Sequence, residues 1–470
     1  MPASPPHATD RDVKRHRRSV SDARAAVLIV LDRLDRSQDT LDTVLDETAA
    51  LMTDLSRRDR ALFNQLVYGV LRWRLRLDAV VAAYADRPLK KISPSILNIL
   101  RIGLYQILFM DRIPASAAVN TAVNLARSGR AAKAAGFVNA LLRSALREPG
   151  RFALPDAVTT PVDHTAVAKS FPRWLMSRWI DRIGLADTER LCDAINAIPP
   201  ITLRCNRLKN SPMELVDALK DQAEGVATVD GVAGAVNLIR PRCPIPEMKA
   251  FVDGRFAVQD AAAQLVSLLL APQPGETVLD ACAGLGGKTT HLAQLMNNRG
   301  TVVALDRAAA KLARLEKDAH RLGVSMVRTR RGDLNRPLDP EALPRFDRIL
   351  LDAPCSGLGV LRRNPDAKWS SRKKDVARFA ARQVRFLDHL APLVNKEGVL
   401  VFAVCSMEPE ENTGVIETFL KNHPNFAITG PRTIEEKTVV PFLDPDGFLR
   451  TFPHIHHMDG FFAARFKRIC

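Results

Sequence analysis

Three changes of pattern along the 470 residues predict an all-helical N-terminal domain, a small α+β connector and a C-terminal α/β domain with a parallel, doubly wound sheet. Apolar residues recur at helical spacing up to about residue 148, with no strand-like alternation. Short strand-like runs follow the Pro199-Pro200 break. From about Gly254 onward, apolar runs of strand length alternate regularly with helices. The expected boundaries are a disordered basic arm over 1–20, a helical domain over 21–148, a connector over 162–250 and an α/β domain over 254–470.

In the arm, a Pro-rich start leads into Lys14, Arg15, Arg17 and Arg18. Ser21-Asp22 supplies a helix cap, followed by Ala25, Leu28, Ile29, Leu31 and Leu34 at roughly helical spacing. Further helices are expected near Leu41–Leu51, Arg57–Arg72, Leu75–Tyr84, Ser93–Met110, Ala115–Ser128 and Ala131–Arg147. Between Arg57 and Arg147, sixteen Lys or Arg face only four Asp, a surplus that suits an RNA backbone. A merely solvated bundle is the competing explanation.

Residues 149–161 read as a linker. The connector predicts helices near Ala166–Gly184 and Asp187–Ile198, a strand at Thr202–Asn206, a helix over Ser211–Gln222, and strands and turns over Gly231–Pro244. In the α/β part, a helix near Ala261–Leu270 precedes a first strand, Thr277–Cys282. A glycine loop, Ala283–Lys288, opens the helix Thr289–Met296. Thr301–Asp306 and Ser325–Arg330 are the next strands, the latter leading to Gly332-Asp333. Ile349-Leu350-Leu351 then delivers Asp352-Ala353-Pro354-Cys355-Ser356-Gly357 at the carboxyl end of a strand, where open α/β sheets bind ligands. A basic helix, Arg372–Leu390, leads to Gly398–Val404, which ends in Cys405-Ser406. Phe461–Lys467 is expected to close the sheet as an edge strand.

Composition narrows the class. A formal net charge of +16 points to a polyanionic partner. No run approaches the ~18 apolar residues of a membrane span, and no apolar signal core opens the chain, so a cytoplasmic location is expected. Seven thinly spread cysteines, without CxxC or Cys/His clusters, support neither a disulfide framework nor a metal site. His454, His456 and His457 are read as loop residues.

The glycine loop is not GxGxxG, because Thr289 stands where the third glycine would fall, and it is not a Walker loop. Asp280, Asp306, Asp333 and Asp352 all fall at or just beyond strand ends. A ring of carboxylates without a phosphate anchor suits a cationic or uncharged nucleoside better than a pyrophosphate, and S-adenosylmethionine fits. A methyl donor gives two strand-end thiols a use. A thiolate adds to carbon 6 of a pyrimidine so that carbon 5 can take the methyl, and an acid near nitrogen 3 stabilises the charge. A second thiol assists release. Spacing alone does not decide which of Cys355 and Cys405 attacks.

The set LDACAGLGGKTTHLA, VVALD, RGDL, LLDAPCSGLGVLRRNPDAKW and FAVCSMEPEEN resembles the cytosine carbon-5 RNA methyltransferases of the Nol/Nop/Sun family. The helical part, with IPASAAVNTAVNLAR and GFVNALLRS, is similar to NusB-like RNA-binding domains. Together with Phe171-Pro172 and Trp174-Leu175 in the connector, the chain resembles the bacterial small-subunit rRNA enzymes of the Sun/Fmu type, whose third domain is Rossmann-like. The resemblance implies that Cys282, Ala283, Gly284, Leu285, Gly286, Gly287 and Lys288 form the S-adenosylmethionine loop. It implies that Asp306 holds the ribose, Asp333 the adenine side, and that Asp352 lies between cofactor and base. Cys405 is then the nucleophile and Cys355 the releasing thiol, with Arg362, Arg363 and Lys368 as RNA contacts. Gly284-Leu285 replaces the family's Ala-Pro, and Val404 its Thr. The expected partner is rRNA, with no metal and no membrane, and a monomer is expected. A tRNA methyltransferase and a non-catalytic RNA-binding assembly factor are the alternatives.

Overall fold

A computed structural model describes residues 22–37, 39–128, 132–338, 343–430 and 436–469. The basic arm expected over 1–20 lies outside these residues. The chain divides into two compact units: residues up to Asn196 together with Asn364–Ser370, and Ala197–Arg363 together with Ser371 onward.

The first unit is helical. Asp22 caps its opening helix, Ala23–Leu34, by accepting from the Arg24 amide, and helices Arg57–Arg72, Arg74–Tyr84, Pro94–Phe109, Ala115–Ser128 and Ala135–Arg147 follow. Pro94–Phe109 is the central helix; Ile99, Leu100, Ile102 and Leu104 are buried, because apolar residues fill nearly its whole circumference. The long helix Arg173–Asn196 breaks at Gly184, whose φ of 78° no helix accommodates. Arg57, Arg58, Arg60, Lys90, Lys91, Arg127, Lys133 and Arg143 are exposed or half-buried, so most of the basic surplus faces solvent.

The second unit carries two sheets. The smaller is antiparallel, in the order β2 (Ala223–Thr228), β3 (Ala235–Pro241), β1 (Ile201–Cys205), β4 (Phe256–Val258). β4 lies beyond residue 250, in the stretch expected to open the α/β domain, yet it pairs with β1.

The larger sheet has a parallel half made of β5 (Thr277–Asp280), β6 (Thr301–Asp306), β7 (Val327–Arg331), β8 (Phe346–Asp352) and β9 (Val394–Val404). Three antiparallel strands complete it: β10 (Phe426–Ile428), β11 (Leu449–Thr451) and β12 (Phe461–Arg468). The order is β10-β12-β9-β8-β5-β6-β7, with β11 also on β12. β12 is therefore not the edge strand expected from sequence; β10 covers its far side. Successive residues of the parallel strands alternate between the faces. Val278, Val302, Leu350 and Val401 face one helical layer, while Leu279, Val303, Leu351 and Phe402 face the other. Helices on both faces explain why these strands read as continuous apolar runs.

Candidate active site

The chain leaves β5 toward β6 on one side, and β8 follows on the other, so the strand order reverses between β5 and β8. The crevice at the carboxyl ends of these strands is the ligand position of a doubly wound sheet. The structure brings Asp280, Cys282, Asp306, Asp352, Cys355 and Cys405 to that end.

Asp280 is buried, and burial raises its carboxyl to about 6. Its Oδ2 accepts from Thr289 Oγ1 at 2.7 Å, so the residue in place of a third glycine anchors the first carboxylate. Oδ1 of Asp280 has no hydrogen-bond partner among the described residues. Asp306 Oδ2 accepts from the Gly284 amide at 3.0 Å and Oδ1 from the Ala308 amide at 2.8 Å, which pins the glycine loop against the end of β6. Gly286 has φ 84°, and a Cβ there would lie 2.3 Å from the Leu315 side chain; the loop passes its neighbouring helix only as glycine. Burial and the carboxylates of Asp280, Asp352 and Asp306 together raise the Cys282 thiol far above its ordinary range, so it faces the acidic ring as a neutral group. An acidic, glycine-lined cradle with one buried carboxylate oxygen left unpaired fits a cationic nucleoside. Asp333 stands apart: it is exposed, accepts from the backbone and side chain of Asn335, and has no hydrogen bond to the loop among the described residues.

Lys288 crosses from the loop to β8, its Nζ 2.6 Å from Asp352 Oδ2. Burial opposes its charge, but Asp352 and, further off, Cys405 outweigh burial and raise its pKa. The sulfurs of Cys355 and Cys405 are 3.3 Å apart. The hydrogen bond to Cys405, burial and the negative charge of Glu411 all raise the Cys355 thiol. These influences favour the protonated form of Cys355. Gly359 ties the two turns: its amide donates to the Cys405 carbonyl at 2.9 Å, and its carbonyl accepts from the Gly460 amide. A Cβ at Gly359 would sit 1.9 Å from the Gly460 oxygen, so only glycine permits this crossing.

The three residues expected as RNA contacts are held by partners within the protein. Arg362 and Arg363 both grip Asp260 and Asp459, at 2.5 to 3.0 Å, in a largely buried four-residue network. Lys368 is buried in the helical unit, where its Nζ donates to the carbonyls of Arg72 and Ser170 and to Asn196 Oδ1 and lies 3.5 Å from the Phe171 ring centroid. Their charges are engaged internally.

Several groups at the site are not among those expected from sequence. Arg204, fully buried, donates to Gly287 O, Gln259 Oε1, Thr290 Oγ1 and Gln294 Oε1, bracing the first turn behind the glycine loop. On the basic helix, now Lys373–Leu390, Lys374, Arg378 and Arg382 share one face by their four-residue spacing. Arg382 lies 4.8 Å from the Phe379 ring, and its Nε is buried without a hydrogen-bond partner among the described residues. Burial lowers its pKa, and both Cys282 and Cys355 lie within its electrostatic reach. That spacing was the available signal.

No helix among the described residues is long and apolar enough to cross a membrane, and no group of three or more His, Cys, Asp or Glu among them could hold a metal ion.

A family model described as 16S rRNA methyltransferase RsmB/F matches residues 267–467, a NusB family model residues 21–147, and a ferredoxin-like domain model of RsmF/B-like methyltransferases residues 171–246. The chain is 36% identical over 453 residues to a probable ribosomal RNA small subunit methyltransferase B of Synechocystis sp., covering 95% of this chain and 99% of that protein. It is 36% identical over 450 residues to a protein of the same description from Bacillus subtilis, covering 95% and 98%. The solved structure of PH0851 superposes with a TM-score of 0.78 at 25% identity, over 94% of this chain and 98% of that one.

Proposed function

Since the chain belongs to the RsmB/F family of 16S rRNA methyltransferases, we propose that it methylates carbon 5 of a cytosine in small-subunit rRNA, through a transient bond between Cys405 and carbon 6. The observation that carries the proposal is the thiol pair, 3.3 Å apart, at the same strand ends as the bridged Asp352 and Lys288.

Cys405 adds to carbon 6, and the electron pair displaced from the ring develops as negative charge toward nitrogen 3 and as nucleophilicity at carbon 5. The Lys288–Asp352 pair meets that charge with a held proton. S-adenosylmethionine, when bound, supplies an electrophilic methyl on a sulfonium. The cradle of Cys282 to Lys288, with Asp280 and Asp306, would hold it, and Asp333 would approach it only from the rim. Water entering the crevice takes the carbon 5 proton, the electrons of that carbon–hydrogen bond restore the carbon 5–carbon 6 double bond, and the electrons of the carbon 6–sulfur bond return to Cys405 as that bond breaks. Cys355, still protonated, faces the departing sulfur and can return a proton to it.

The target base must be unstacked to reach the crevice, as single-stranded or looped RNA allows. Lys374, Arg378 and Arg382 form the basic row that would track its backbone, and the exposed cations of the helical unit would add non-specific affinity. The protein would act where rRNA is assembled, in the cytoplasm. Replacing Cys405 with Ala should abolish methylation while leaving the S-adenosylmethionine titration unchanged. Retained turnover moves the nucleophile elsewhere.

A further inference from the structure

One carboxylate reaches both thiol turns. Glu411 is buried, and each cysteine is followed by a serine, Ser356 after Cys355 and Ser406 after Cys405. Glu411 Oε2 accepts from Ser356 Oγ at 2.5 Å and from Ser406 Oγ at 2.6 Å, while Oε1 accepts from the Ser356 amide at 2.8 Å. Gln383, on the basic helix, donates from Nε2 to Glu411 Oε1 and to the Pro354 carbonyl, both at 3.1 Å. Four donors thus converge on one side chain, and two of its bonds are equivalent tethers to the residues beside the reacting sulfurs. Burial raises the Glu411 carboxyl, and the donors from Ser356, Ser406 and Gln383 oppose that. A buried carboxylate costs several kcal/mol to desolvate unless its oxygens are fully hydrogen-bonded, and here they are.

We propose that Glu411 is a positioning residue that fixes the separation of Cys355 and Cys405 through the two serines, so that adduct formation and adduct release occur at one geometry. The inference rests on the roles assigned to the two thiols above. With Glu411 in place, a sulfur leaving carbon 6 finds the Cys355 thiol within contact distance. Without it, the turns keep the direct Ser356–Ser406 hydroxyl contact at 3.2 Å, the Gly359 backbone bond and the strand ladder, but lose the carboxylate that fixes both hydroxyls at once, and Cys355 can drift while Cys405 still attacks.

The test separates spacing from turnover. Phenylarsine oxide condenses with two thiols at once, forming two arsenic–sulfur bonds and releasing one water; it is retained against a competing monothiol only when both sulfurs are adjacent. Full-length wild type should retain one equivalent, and C355S none. Glu411→Ala should lose retention by about tenfold or more, the factor that ~1.4 kcal/mol of lost positioning produces. Glu411→Gln, which keeps one acceptor oxygen, should fall between. If Glu411→Ala melts as unfolded, the S356A/S406A double variant, which removes both hydroxyl tethers and leaves the carboxylate held only by the Ser356 amide and Gln383, so that it no longer reaches the Cys405 turn, should show the same loss. Wild-type retention in a folded Glu411→Ala, or in the double variant, overturns the proposal. With RNA and cofactor, Glu411→Ala should accumulate the shifted protein–RNA band that Cys355→Ala shows. If retention falls but neither variant accumulates that band, the spacing role stands and the release role of Cys355 fails.

Discussion

Asp306 is the most informative single position in the cofactor cradle. Its carboxylate already holds the Gly284 and Ala308 amides at 3.0 and 2.8 Å, so it is oriented before any ligand arrives. Asp306→Ala removes the carboxylate proposed to accept from a ribose hydroxyl and frees the glycine loop from β6. A hydrogen bond to a charged group contributes about 1.5–3 kcal/mol, which corresponds to a roughly 10- to 150-fold rise in the dissociation constant for S-adenosylmethionine. Asp306→Asn keeps one acceptor oxygen for the loop and loses the charge, so a smaller rise is expected. Calorimetric titration measures both, and thermal melting of the unliganded variants checks that the fold survives, since Asp306 is only half-buried at a strand end. A dissociation constant within about twofold of wild type, in a folded Asp306→Ala, would refute the ribose assignment and the loop-pinning argument together.

Cys355→Ala should trap a covalent RNA adduct, visible as a shifted band on a denaturing gel; a single unshifted band excludes the release role. The Asp280 carboxyl is raised from 3.8 to about 6, so the folded state holds its proton more tightly than the unfolded chain does. Its stabilising contribution is complete below the unfolded value and is lost as the pH rises through about 6, by up to ~3 kcal/mol. Asp280→Asn should flatten the stability profile over that window in urea denaturation, and an equally steep profile would count against it. Arg378→Gln with Arg382→Gln should weaken RNA binding and reduce its salt slope by roughly 0.7–0.9 for each phosphate left unneutralised. Lys368→Met should leave that slope unchanged and lower the melting temperature; the reverse pattern would restore Lys368 as an RNA-binding residue.

The strand-end groups were legible because β5, β6, β8 and the Gly398–Val404 part of β9 are apolar runs that give way to turn residues, so Asp280, Asp306, Asp352 and Cys405 announce their position. The pairing partners were not. β4 is only three residues, and its register with β1 joins residues some fifty positions apart, which no local pattern records. β12 reads as an edge strand because the strand beside it, β10, is equally short. Arg362 and Arg382 look alike in sequence, but Asp260 and Asp459 lie about a hundred residues from the first and neutralise it, whereas the second lies against the rings of Phe379 and Phe386. Glu411 and Arg204 were invisible for the same reason: their meaning lies in acceptors and donors brought together by the fold.

The helical unit is discontinuous in the chain. Asn364–Ser370 belongs to it, with Asp366 accepting from the Leu41 amide, Trp369 donating to the Leu71 carbonyl, and Lys368 seated on Phe171. During vectorial synthesis the N-terminal helices emerge first but cannot complete their interior until residue 370 has cleared the exit tunnel, after β5 to β8 have already appeared. Severing the chain at residue 197 would thus strand an indole and an ammonium in one fragment and leave their carbonyl partners bare in the other. The two halves are expected to mature as a single folding event, not as beads that can be exchanged between relatives.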